Sequence, residues 1–203
     1  VIDEQVDKLS EDLYVWDTWP LRNRDGSITK VNGYQVIFSL TSTDNVVPGA
    51  RHNLATIRYF YSKNGHDWEL GGEVFDEPLG HHQWAGSAMY DQDEDRIYSF
   101  YTAVSSGDLP IDERFRQRLV FGKGASLETS PEGVDITGDF EHHQIAEADG
   151  KLYQTLEQSI DQGIVYGFRD PWYFQHPETG EDYVLFEGNT PIEDSDAYPD
   201  DWQ

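Results

Sequence analysis

A carboxylate lies between two tryptophans near the start of the chain, in the segment Trp16-Asp17-Thr18-Trp19-Pro20. Indole faces can cover the apolar faces of a sugar ring, and the proline restricts the backbone just beyond them. A carboxylate among such rings can attack an anomeric carbon or stabilise the cation that develops there. The same residue types also suit a strand end packed in a core, so this segment alone leaves both interpretations open.

Four further segments follow this motif along the chain. They are residues 32–38 (NGYQVIF), 83–87 (QWAGS), 168–171 (FRDP) and 185–189 (LFEGN). With the first motif, and in this order, they make the chain resemble the bacterial and archaeal levansucrase and inulosucrase family, whose members are retaining fructosyltransferases acting on sucrose. The motif Arg169-Asp170-Pro171 also occurs in related invertases and fructanases. The Val-Trp-Asp start and the Trp-Ala-Gly-Ser element narrow the resemblance to the sucrose-specific family.

The resemblance implies a role for each matching residue. Asp17 would be the nucleophile that forms a fructosyl ester, and Asp170 would stabilise the positive charge of the transition state. The residues expected to bind substrate are Trp16, Trp84, Arg169 and Glu187. In the family the general acid/base belongs to a later motif, so we expect it outside this chain. Glu187 is the alternative acid within the chain, and its place inside a strand makes it the less suitable one.

Each of these residues also has a purely structural alternative. Asp17 could cap a turn at a strand end, and Asp170 could begin an Asp-Pro turn. Arg169 could form an ion pair that only supports the fold, and the tryptophans could pack in the core. The matching motifs favour the catalytic interpretation over these alternatives.

Two positions depart from the family's pattern. Ala85 stands where many relatives have a serine whose hydroxyl supports the nucleophile. Ile164 stands where calcium-binding relatives have an aspartate, and an aliphatic side chain cannot ligate a hard cation. We therefore expect no metal ligands and no cofactor. The absence of cysteine also excludes a thiolate zinc site and disulfide bonds.

Acidic residues dominate the charged surface. The 203 residues include 39 Asp and Glu against 14 Lys and Arg, which gives a formal net charge of -25. This charge excludes nucleic acid and anionic membranes as natural partners. Scattered acidity with few lysines is typical of proteins that work in concentrated salt, and an ordinary acidic secreted protein is the alternative. With the family resemblance, this composition predicts an extracellular protein acting on sucrose and fructan acceptors.

Strand-like segments rich in Val, Ile, Tyr and Phe recur along the chain, separated by glycine-containing turns. They cover residues 34–40, 54–62, 73–75, 96–103, 118–122, 151–156 and 182–187. This pattern predicts an all-β fold, and it leaves sandwich, barrel and propeller architectures open. The family resemblance implies a five-bladed β-propeller with the active site in its central funnel.

The chain is short for a whole propeller of that family. We therefore expect residues 1–203 to be the N-terminal portion of a single catalytic domain, with residues 190–203 as an exposed loop at a truncation or nick. A C-terminal polypeptide, or the remainder of the same one, would complete the propeller, because half of it leaves strand edges open.

Three functions are compatible with the motifs. The first is a fructosyltransferase that makes levan-type or inulin-type fructan through a covalent fructosyl-enzyme intermediate. The second is a β-fructofuranosidase that passes fructose mainly to water. The third is a carbohydrate-binding propeller without catalysis, and the presence of both Asp17 and Asp170 argues against it, since a lectin needs neither a nucleophile nor a cation stabiliser.

Overall fold

The first four strands form an antiparallel unit in which neighbours along the chain are neighbours in the sheet. The computed structural model describes residues 8–43, 45–105, 110, 114–162 and 166–191. The strands of the unit are β1 (Leu13–Asn23), β2 (Gln35–Thr43), β3 (Thr56–Ser62) and β4 (Glu69–Glu73). In β2 the alternation of side chains turns Val36, Phe38 and Leu40 into the core, which is the period-two pattern of a half-buried strand.

A second antiparallel unit repeats this arrangement. Its strands, with a hairpin inserted before the last, are β5 (His82–Asp91), β6 (Arg96–Val104), β7 (Gln117–Lys123), the hairpin β8 (Ser126–Ser130) and β9 (Gly133–Thr137), and β10 (Glu141–Glu147). The first strands of the two units, β1 and β5, pair in parallel only over residues 21–23 and 88–90. The two units thereby join into one eight-stranded sheet whose order is β10-β7-β6-β5-β1-β2-β3-β4.

A third unit begins with the hairpin of β11 (Phe168–Gln175) and β12 (Asp182–Gly188). The main core lies between the first two units and includes Trp19, Leu21 and Tyr101. Two smaller clusters fix β11 on the second unit, because Phe168 packs in one of them with Leu119. Tyr173 packs in the other, where its ring stacks on Phe100 at a centroid distance of 5.5 Å.

The all-β class predicted from the sequence is confirmed, with one short α-helix and one 3-10 helix (Pro48–Leu54) among the described residues. Five of the seven strand-like segments coincide with β2, β3, β6, β7 and β12. The segment 73–75 is placed wrongly, since β4 ends at Glu73. Val74 and Phe75 follow the end of that strand and are buried in the core, which accounts for apolar residues outside a strand.

The segment predicted as a strand at residues 151–156 is also wrong, because it leads into helix α1 (Leu156–Gln162). Thr155 and Gln158 form a reciprocal capping box. The Gln158 N–H donates to the Thr155 hydroxyl at 3.3 Å, and the Thr155 N–H donates to the Gln158 Oε1 at 2.9 Å. These bonds satisfy amide groups that a helix start leaves free, so the capping pattern outweighs the aromatic and aliphatic residues just before it.

Several sequence-based expectations fall outside the described residues. They include the departure at Ile164 and residues 192–203 of the expected terminal loop. Within the described part, neither helix has the length or the apolar composition needed to cross a membrane.

Candidate active site

A cavity of about 280 Å³ lies where residues of β1, β5 and β11 come together. Its lining consists of Asp17, Leu40, His52, Trp84, Ala85, Arg169 and Asp170. Four of the residues singled out from the sequence therefore share one cavity although they come from three distant segments of the chain. They are Asp17, Trp84, Arg169 and Asp170. The parallel register contributes to this arrangement, because Asp17 and Trp84 each lie four residues before the paired residues Leu21 and Ala88.

A β-bulge lies in each of these three strands at the cavity. The pairing register skips Asp17 in β1, Ala85 in β5, and Asp170 with Pro171 in β11. Asp17 has φ +48° and Asp170 has φ +59°, a left-handed backbone that residues other than glycine seldom adopt. Bulges re-aim a side chain that the regular pleat would direct elsewhere. Strained backbone of this kind is characteristic of functional sites, so both carboxylates are placed at some conformational cost.

The carboxyl group of Asp170 is perturbed by its surroundings. Burial raises its pKa to about 6, the Arg169 guanidinium opposes that shift, and the carboxylates of Glu187 and Asp17 add to it. The Asp170 side chain keeps 45% of its surface exposed, so water screens part of the repulsion. The carboxylates of Asp17 and Glu187 thus both lie within electrostatic reach of the Asp170 carboxyl group.

Arg169 holds Glu187 through a forked contact. Its Nη2 donates to the Glu187 Oε1 at 2.7 Å and its Nε donates to Oε2 at 3.3 Å. The two residues are register partners across β11 and β12, which brings the side chains together. A Cβ at position 167 would lie 2.8 Å from the Glu187 Oε1, so a larger residue there would displace this carboxylate. Glu187 therefore lies next to the cavity as the partner of Arg169.

Trp16 and Trp84 pack on either side of His52, a residue that the sequence analysis did not identify. The Trp84 indole N–H donates to the His52 carbonyl at 2.9 Å. The His52 ring lies edge-on to Trp84 and Trp16, at centroid distances of 5.8 and 5.4 Å. Trp84 lines the cavity, whereas Trp16 packs beyond His52 and under the Arg51 guanidinium, 5.0 Å from its ring. The contact of Trp16 with substrate stays a prediction.

His52 belongs to the 3-10 helix between β2 and β3. A single histidine in a short connection has no periodic pattern and no partner in sequence, so the residues alone gave no signal for it. Leu40, also in the lining, reads as an ordinary core residue of β2. Only the spatial arrangement identifies these two residues as part of the site.

A larger cavity, of about 390 Å³, lies between the residues that end and follow β4 and the segment from β9 to β10. It is bordered by carboxylates and two aromatic side chains, including Glu73, Asp76, Glu77, Asp139, Phe140 and His142. None of the residues identified from the sequence motifs lines it. Size alone therefore does not make it the candidate site.

We expect Asp170→Asn to raise the thermal stability of the protein at neutral pH, although it removes a site residue. Folding raises the pKa of this carboxyl group, so its protonated form stabilises the fold. This contribution is fully present below the pKa that the group has in the unfolded chain, and it is lost as the pH rises through about 6. Asparagine carries no charge and tolerates a left-handed backbone. The midpoint of thermal unfolding should exceed that of the parent at about pH 8, and the difference should shrink towards about pH 5.

Asp93→Asn is the matched control, because exposed Asp93 lies in a turn outside the cavity lining and loses the same charge. An equal rise in both variants at about pH 8 would assign the gain to the general acidity of the chain. An unchanged or lower midpoint for Asp170→Asn would contradict the burial and carboxylate repulsion that raise the pKa of this group.

Fold and cavity together define a class of protein. It is an all-β protein that gathers paired carboxylates, a guanidinium and an indole at bulges of its strands, which is the set of groups that retaining glycoside chemistry uses. The chain belongs to the Levansucrase/Invertase family, glycoside hydrolase family 68, whose sequence model matches residues 1–199. The family resemblance predicted from the five motifs is thereby confirmed.

Individual relatives agree with this assignment. The chain is 35% identical over 199 residues to a levansucrase of Pseudomonas savastanoi pv. glycinea, covering 89% of this chain and 45% of that protein. It is 33% identical over 184 residues to the extracellular sucrase of Zymomonas mobilis, covering 89% and 43%. Among solved structures, the inulosucrase from Halalkalicoccus jeotgali bound to kestose has a TM-score of 0.86 and 46% identity, covering 95% of this chain and 47% of that one. The chain thus spans somewhat less than half the length of these relatives.

Proposed function

We propose that this chain is the N-terminal portion of a sucrose-dependent fructosyltransferase that works by retaining double displacement. The observation that carries the proposal is the shared cavity of Asp17, Asp170, Arg169 and Trp84. Retaining transfer uses two carboxyl groups close to the scissile bond, one of them as the nucleophile. Sucrose is the fructosyl donor in this proposal, because the chain belongs to the family of levansucrases and invertases.

In the first step an Asp17 carboxylate oxygen attacks the anomeric carbon of the fructosyl unit, and the bond from that carbon to the glucose oxygen breaks. A general acid outside this chain gives its proton to the departing oxygen. In the second step the hydroxyl of an acceptor sugar, or water, attacks the same carbon and releases Asp17. The acceptor's proton returns to the acid, which now acts as the base, and two inversions retain the configuration.

The other cavity residues stabilise and position the fructosyl unit. Asp170 accepts hydrogen bonds from its hydroxyls as positive charge develops on the ring. Arg169, fixed in its forked contact with Glu187, presents the guanidinium at the cavity wall. Trp84 provides an apolar face, and its indole N–H is already engaged by His52, which fixes the plane of the ring.

The proposed whole is a five-bladed β-propeller, and the support for it is the repeat of four-stranded units around adjacent first strands. Residues 1–203 would form two such blades and the start of a third, and a C-terminal portion would complete the ring and supply the acid. An extracellular location is supported by the name of the Zymomonas mobilis relative. Adaptation to salt stays a prediction, supported by the net charge of -25.

The test is the product balance of the complete enzyme, this chain together with its C-terminal portion, on sucrose. A transferase releases more free glucose than free fructose and makes fructose-containing oligosaccharides. A β-fructofuranosidase, the function that the name "extracellular sucrase" favours, releases the two sugars equally. Binding of sucrose in calorimetry without any release of glucose would reject both enzymes and leave a carbohydrate-binding protein.

A further inference from the structure

The main chain around Asp170 is held by the neighbouring unit as well as by its own hairpin. The register of β11 skips from Arg169 to Trp172, so Asp170 and Pro171 have no ladder partners in β12. Two hydroxyl groups of the second unit take the place of the ladder here. They belong to Thr102 of β6 and Ser87 of β5.

Each hydroxyl makes two hydrogen bonds. Thr102 Oγ1 accepts the Asp170 N–H at 2.9 Å and donates to the Ala85 carbonyl at 3.3 Å. Ser87 Oγ accepts the Tyr173 N–H at 2.9 Å and donates to the Pro171 carbonyl at 2.9 Å. The bulge that carries Asp170 is thus bracketed on both sides by side chains of another strand pair.

These hydroxyls are shielded from water, since the exposed fraction is 0% for Thr102 and 1% for Ser87. Water therefore cannot take over the hydrogen bonds of these two hydroxyls. Loss of either hydroxyl leaves buried backbone groups without a partner. The Asp170 backbone at φ +59° is left-handed, a conformation that costs more for Asp than for glycine, although Asp and Asn adopt it more readily than other residues. Such a conformation persists only where the surroundings hold it.

We propose that Thr102 and Ser87 are positioning residues for the reaction, an inference that rests on the proposed function. Thr102 joins the amide of the Asp170 bulge to the carbonyl of Ala85, the residue at the bulge of β5 in the same cavity. Through this single hydroxyl, the stabilising carboxylate is fixed relative to the wall formed by β5. Neither hydroxyl lies in the cavity lining, so both act through the backbone of the bulge.

The test compares Thr102→Val with Thr102→Ser in the complete enzyme. Valine keeps the shape and removes the hydroxyl, whereas serine keeps the hydroxyl. Because a small misplacement of a group that acts in the transition state affects the chemical step, we expect Thr102→Val to lower kcat by about 10- to 100-fold while KM changes by less than about threefold. Thr102→Ser should restore kcat to within about threefold of the parent.

Thr29→Val is the matched control. Thr29 is also buried, at 2% exposed, and its hydroxyl donates to the Asn23 Oδ1 at 3.1 Å, away from the cavity lining. It should lose stability and keep kcat. If Thr102→Val does not fold, Ser87→Ala replaces it with the same expected split between kcat and KM.

A second measurement is independent of turnover. Amide hydrogen exchange at Asp170 should be faster in Thr102→Val than in Thr102→Ser and Thr29→Val, because its N–H has lost its acceptor. A kcat for Thr102→Val equal to that of the parent, or an equal loss in Thr102→Ser, would overturn the inference. If the parent does not cleave sucrose, the proposed function fails, and hydrogen exchange alone decides whether Thr102 holds the bulge.

Discussion

Replacement of Asp17 by Asn is expected to abolish both hydrolysis and transfer in the complete enzyme, with kcat lowered by at least about a thousandfold. That loss corresponds to about 4 kcal/mol of transition-state stabilisation, which is modest for the removal of a covalent nucleophile. Asparagine keeps the shape of the side chain and accepts the left-handed backbone at φ +48°, so the bulge should persist. Sucrose binding, measured by calorimetry, should therefore remain.

The covalent intermediate that we propose gives this prediction a second readout. Rapid acid quenching of the parent enzyme with sucrose should leave one fructosyl group on the peptide that contains Asp17, and none in the variant. Asp93→Asn again serves as the control for loss of one acidic charge outside the cavity. Activity of Asp17→Asn within about tenfold of the parent would sink the assignment of the nucleophile.

The 203-residue chain by itself is expected to turn over no sucrose, and addition of the C-terminal portion should establish activity. The acid that protonates the departing glucose oxygen lies outside the chain in our proposal, and general acid/base help contributes about 10²–10⁴-fold. Within the chain, the nearest alternative is Glu187. Its carboxylate is engaged in the forked contact with Arg169 and does not line the cavity, which does not suit a group that must reach the departing oxygen.

The same experiment reports on the fold. Among the described residues β12 has only β11 as a partner, and Leu185 and Tyr183 on it are 57% and 43% exposed. An open strand edge with apolar side chains favours self-association. The isolated chain should therefore be oligomeric in light scattering, and the complete enzyme should not show association through this edge. A monomeric chain with full activity would place the acid in it and overturn our division of roles.

Four residues singled out from the sequence share one cavity, whereas the strands that carry them were not predicted. The catalytic roles of these residues stay a prediction. The motifs pointed to these residues because they contain the carboxylates, guanidinium and indole that glycoside chemistry uses. The residues are Asp17, Trp84, Arg169 and Asp170. Their strands β1, β5 and β11 were not recognised, since bulges, glycine and proline interrupt the alternation that identifies a strand. The bulges that position the site residues thus also interrupt the alternation of side chains by which a strand is recognised in a sequence.

Other parts of the site could not be read from sequence because they depend on long-range contacts. His52 enters the cavity from a connection between β2 and β3, and its packing between Trp16 and Trp84 is a property of the fold alone. Thr102 looks like any polar residue of a strand until Asp170 lies beside it. The error at residues 151–156 was local, since the Thr155 and Gln158 pair is a readable helix start.

The hydroxyl groups that contact the Asp170 bulge also bear on the order in which the candidate site assembles. Ser87 and Pro171 are 84 positions apart, and a ribosome adds about 5–20 residues per second, so the strand pair that supplies the hydroxyls is synthesised seconds before the segment it holds. Contacts of such sequence separation form late, because the intervening chain must first be closed into a loop. The nascent chain therefore carries Asp17 for some time without its partner. In our proposal, the site is assembled only after the third unit has docked on the second and the C-terminal portion is in place.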